Sequence, residues 1–117
     1  MLIWVNNMNT IYGSFDDEQV ERYKDKLHKD IHWLLIYKDP KLKEQYEAID
    51  YEKYFSFLMK KIDGLNELLF YPSEIVNLMS ILEASFIETK KESFDFMSFR
   101  KLIFDAQSIV NKINERR

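Results

Sequence analysis

Apolar residues recur at steps of three and four along most of this chain. Val20, Tyr23, Leu27, Ile31 and Leu34 make one stripe with steps of 3, 4, 4 and 3, the spacing that lines one face of an α-helix. Ser14 is the expected cap, with Asp17 three residues on forming a box-like pair. Asp16, Asp17 and Glu18 then stand where the helix dipole favours anions. Asp39-Pro40 ends this helix, because the residue before a proline avoids the α region. Pro40 and its cap Asp39 open a short accessory helix through Leu42, Tyr46 and Ile49.

The next pattern is the most regular. Tyr51, Phe55, Leu58, Ile62, Leu65 and Leu69 hold a 4-3-4-3-4 seam, with Asp50 as the cap. Gly64 falls inside it at a cost of about 1 kcal/mol against Ala, and the competing reading is a break at Asp63-Gly64. The register continues across Gly64, so the expectation is one helix to about Phe70. Tyr71-Pro72 interrupts, and Ser73 is the expected cap of a third helix carrying Ile75, Leu78, Met79, Leu82 and Phe86 and ending at Lys90-Lys91. Ser93 or Asp95 caps the last helix, whose stripe is Phe96, Phe99, Ile103, Ala106, Val110 and Ile113.

Four amphipathic helices with short connections predict an all-α, antiparallel up-and-down four-helix bundle, with one short accessory helix. Residues 1–13 stand apart as an extended segment: Leu2–Val5 is strand-like and Asn6–Asn9 turn-like. The domain reading is this segment followed by one bundle domain over 14–117.

Composition narrows the class. Two Gly and two Pro among 117 residues leave too few turn formers for a sandwich or barrel. The absence of Cys excludes thiolate chemistry and Cys-based metal sites. A formal net charge of −3 argues against nucleic acid as a partner, since phosphate neutralisation supplies most duplex affinity. A local basic stripe stays open. No apolar run approaches the ~18 residues of a membrane span, and no signal-peptide pattern opens the chain, so the expected compartment is the cytoplasm, with no membrane partner. Thirteen Lys against four Arg, with 12 Ile and 7 Asn, fit an AT-rich coding sequence such as that of a low-GC bacterium, phage or plasmid.

Candidate chemistry is sparse. His28 and His32 are the only histidines and lie four apart on one helix, with Asp25 a turn before. That is a possible metal face, but it lacks a third ligand, and the pair lies about 80° and 120° round from the apolar stripe. Boundary or surface histidines are the favoured reading. Arg22 and His28 match the R-x(4–6)-H spacing of helical ribonucleases, which resembles a phosphate-stabilising Arg beside a proton-transferring His. The spacing is permissive, and in those ribonucleases it falls between the last helices. No catalytic, cofactor-binding or metal-binding residue is assigned, and no cofactor is expected.

The aromatic surplus says more. Trp33 lies about 140° from the stripe, with Ile36 and Tyr37 also off it, so this helix needs a second covering surface. The cover is either intramolecular, from residues 1–13 or the accessory helix, or another chain. Trp4, Trp33, Ile36 and Tyr37 are the candidate partner-contacting residues. The expected function is a small non-catalytic cytosolic protein acting through a protein partner or as a homo-oligomer: an accessory, inhibitor or immunity-type factor. The alternative is a metal- or RNA-dependent hydrolase using the Arg22/His28/His32 face.

Overall fold

In a computed structural model, which describes residues 8–10, 13–15, 17–68 and 73–113, four helices follow the predicted stripes: α1 (Asp17–Lys38), α2 (Tyr51–Leu68), α3 (Ser73–Thr89) and α4 (Phe96–Lys112). Each packs on two others. The α3–α4 contact is the most extensive, followed by α1–α4 and α2–α3, with α1–α2 the sparsest. Consecutive helices with short connections close a ring as an up-and-down bundle. The molecule measures 54 × 22 × 20 Å, a rod rather than a ball. Among the described residues no helix is long and apolar enough to cross a membrane.

The core is the set of stripes laid inward. Leu27, Ile31 and Leu34 of α1 meet Leu58, Ile62 and Leu65 of α2, Ile75, Leu78 and Leu82 of α3, and Phe99, Ile103 and Val110 of α4, all nearly or wholly buried. Tyr23, Met79, Phe86 and Phe96 sit at the core's margin, half-buried. Leu35, off the predicted stripe, is also buried. The side chain of Val20, and Leu69 altogether, lie outside the described residues.

Three caps hold as read. Asp39 accepts from the Lys41 amide at 2.9 Å, Asp50 from the Lys53 amide at 3.1 Å, and Asp95, rather than Ser93, from the Met97 amide at 3.1 Å. Ser98 also donates to the Asp95 carboxylate at 2.7 Å. These bonds pull the Asp95 carboxyl below its ordinary value, the Ser98 hydroxyl first and the Met97 amide next. Helix α2 runs unbroken through Gly64.

Four expectations need correction. Ser14 does not cap α1: it belongs to a short strand β2 (Gly13–Phe15) paired antiparallel with β1 (Met8–Thr10), in register Met8↔Phe15, Asn9↔Ser14 and Thr10↔Gly13. Backbone pairing thus claims Ser14 three residues before the helix begins. The same pairing places Met8 and Asn9 in a strand, where a turn was expected. Ser73 is the first residue of α3, not its cap, and its hydroxyl meets the Glu74 carboxylate at 3.2 Å. The accessory helix shrinks to one 3-10 turn, Pro40–Leu42, followed by turns to Ala48. Its bonds reach back three residues more often than four, as in Gln45 N–H to Leu42 O at 3.0 Å and Ile49 N–H to Tyr46 O at 3.1 Å. With no buried residue in that turn and Ile49 exposed, too little apolar area is covered to propagate an α-helix.

Candidate interaction surface

The α1–α2 seam is bridged by side chains. Residue Tyr54 of α2 donates its hydroxyl to the Asp30 carbonyl of α1 at 2.6 Å, and Lys61 of α2 pairs with the Asp30 carboxylate at 3.1 Å. Residue Lys26 reaches the same oxygen at 3.6 Å, one helical turn before Asp30. Beside these polar bonds lies a ring network. Trp33 stacks on Tyr37 at 5.3 Å, Tyr46 meets both edge-on at 6.0 and 5.3 Å, and Tyr54 meets Tyr37 edge-on at 5.3 Å. Such offset and edge-to-face pairs suit the ring quadrupoles. Burial pushes the Tyr54 hydroxyl above its ordinary value, and the charge of Asp30 and neighbouring Tyr37 act the same way.

The cover for the off-stripe aromatics is therefore partly intramolecular. It comes from Tyr46, in the α1–α2 connection, and from Tyr54. Tyr37 and Ile36 are half-buried, but Trp33 keeps 38% of its surface exposed. Trp4 lies outside the described residues. One turn beyond Tyr54, Phe57 is 62% exposed with Lys61 over its ring, a residue the sequence reading missed because it lies off the apolar stripe. Asp30, Tyr54, Phe57, Leu58 and Lys61 line a depression of about 50 Å³. That space holds a side-chain end and is far smaller than a substrate pocket.

The other candidates are placed differently. His28 and His32 are half-buried against α4, where buried Gln107 spans both: its amide nitrogen lies 3.3 Å from the His28 carbonyl and 3.2 Å from His32 Nδ1. Among the described residues no group of three potential metal ligands exists. In the unbroken helix α1, His28 lies about 120° round from Arg22, so the two are not brought together. The buried Ser85 hydroxyl donates to the Leu82 carbonyl at 2.6 Å, a satisfied core group.

At the far end of α1, Lys38 stands over the Tyr51 ring at 4.3 Å, and Tyr51 lies parallel to Phe86. Lys90 pairs with Glu52 and covers Phe86. Burial, then the nearby charge of Lys90, lowers the Lys38 ammonium below its ordinary value, and Glu52 offsets part of this. The cluster holds three helix ends together.

Compared with known protein families, with curated proteins and with solved structures, the chain finds no match in any of the three.

Proposed function

We propose that this chain is a small non-catalytic cytoplasmic protein that works by contact with another protein through the α1–α2 face. The observation that carries this reading is the exposure of Trp33 and Phe57 on a seam whose other aromatics are locked by ring contacts and by the Tyr54–Asp30 bond. Rigid aromatic anchors on a preordered surface lose little entropy on binding. The surface fits an accessory, inhibitor or immunity-type role.

The test compares Trp33→Ser and Phe57→Ser with the wild type, each checked for folding by circular dichroism. Tagged wild-type chain is expressed in its source cell and its partner recovered. Both variants are expected to stay helical and to lose that partner. Retention of the partner by both overturns the reading. So does RNA cleavage by the purified wild type that His28→Ala abolishes.

A further inference from the structure

The formal net charge of −3 conceals a strong segregation. On α1, Arg22, Lys26, Lys29 and Trp33 follow steps of 4, 3 and 4, and all four are exposed. On α2, Lys53, Phe57, Lys60 and Gly64 repeat those steps, exposed throughout, with exposed Lys61 beside them. Both stripes flank one seam, because Tyr54 and Lys61 of α2 reach Asp30 of α1. Asp30 is half-buried and already engaged by Lys26 and Lys61. Among the side chains described on these helices, the nearest exposed carboxylates, Asp25 and Asp63, lie about 70° and 90° round from their stripes. Among the described residues Arg22, Lys29, Lys53 and Lys60 make no ion pair.

We propose that the α1–α2 face docks an acidic amphipathic helix of another protein, with its apolar side on Trp33, Tyr54 and Phe57 and its carboxylates between the two rows of cations. The proposal rests on the protein-contact reading above and adds the partner's shape and charge. Two antiparallel helices leave a shallow groove parallel to their axes, the shape that receives a third helix. The rings stand in the same rows as the cations, Trp33 after Lys29 on α1 and Phe57 between Lys53 and Lys60 on α2, so anchoring and steering groups share each edge of the groove.

A nucleic-acid strand would use the same cations and would stack bases on free rings. Here Trp33 is stacked on Tyr37 with Tyr46 edge-on to it, and Lys61 stands over the Phe57 ring. The chain's overall negative charge also opposes a long polyanion, whereas a short acidic segment senses only the field within about 10 Å at 0.1 M salt.

The test is titration of the isotope-labelled full chain, followed by NMR. The probes are a synthetic amphipathic helix with Leu and Phe on one face and Glu on its flanks, the same peptide with Lys for Glu, and an oligothymidylate. Amide shifts are expected over residues 22–33 and 53–64 with the Glu peptide alone. Its affinity is expected to fall about tenfold or more when salt rises from about 0.05 to 0.5 M, and by a similar factor in Lys29→Glu/Lys60→Glu with an unchanged melting temperature. The proposal is overturned by equal binding of the Glu and Lys peptides, by absence of shifts on this face, or by tighter binding of the oligothymidylate. If Trp33→Ser loses the cellular partner while Lys29→Glu/Lys60→Glu keeps it, the acidic-helix proposal fails and the protein-contact reading stands.

Discussion

Gly64→Ala is a direct probe of how α2 is built. Gly64 sits on the exposed side of a helix that continues four residues past it to Leu68. A methyl group added there meets nothing within 4 Å. The substitution therefore adds no clash and removes no contact. What changes is the unfolded chain, which loses the extra backbone freedom of glycine, and the helix, which gains alanine's shielding of the backbone. Both effects favour the fold, together by about 0.8–1 kcal/mol. With an unfolding entropy of about 2.1 cal/mol/K per residue, that is roughly 3–4 °C in Tm for a chain of this length. Thermal and urea unfolding followed by circular dichroism at 222 nm measures it, and the urea slope should not change. A loss of stability would refute the reasoning, because it would mean that the backbone at Asp63-Gly64 is not helical.

Other perturbations separate core from surface. Ile103 is fully buried and Ile87 is 62% exposed, so Ile103→Ala should cost about 3–4 kcal/mol and Ile87→Ala within about 0.5, by urea unfolding. The Tyr51 hydroxyl is buried with no hydrogen-bond partner among the described residues. Tyr51→Phe should accordingly be neutral or stabilising by up to about 1 kcal/mol, and a clear loss would reveal a bond at that oxygen. Burial raises the Tyr23, Tyr51 and Tyr54 hydroxyls above their ordinary value of 10.0, with Asp30 adding to the effect at Tyr23 and Tyr54, and Tyr54 at Tyr51. Above that pH the unfolded chain loses these protons while the folded chain keeps them, so stability should be complete below pH 10 and fall as pH rises past it. Stability measured against pH should show this decline, and Tyr51→Phe/Tyr54→Phe should flatten it.

The bundle was legible because burial of one face forces a 3–4 spacing on sequence, and Phe55, Leu58 and Ile62, like Phe99, Ile103 and Val110, obey it. The same rule misled at Leu42, Tyr46 and Ile49, of which the first two are only half-buried and the third is exposed, so no continuous buried face sustains a helix there. Ser14 was misread because a cap is a local signal, whereas its pairing with Asn9 is set by a strand five residues away. Gln107 carries no periodic mark, since its role depends on His28 and His32 from a distant part of the chain. The aromatic half of the surface was visible in Trp33 and Tyr37. Its basic half was not, because a net charge averages over faces and hides Arg22, Lys26 and Lys29 on one side of α1. Reading the polar stripe of each helix with the care given to its apolar stripe would have found Lys53, Phe57 and Lys60.

The central claim is that the α1–α2 face, and not another side of the rod, meets a protein partner. Phe57→benzoylphenylalanine, expressed and irradiated in the source cell, tests it most directly, with the same photoreactive residue at Val76 on the exposed side of α3 as control. The account predicts a discrete covalent adduct from position 57, absent from position 76, whose partner peptide is acidic and helical. Adducts equal at the two positions, or none from position 57, would contradict it.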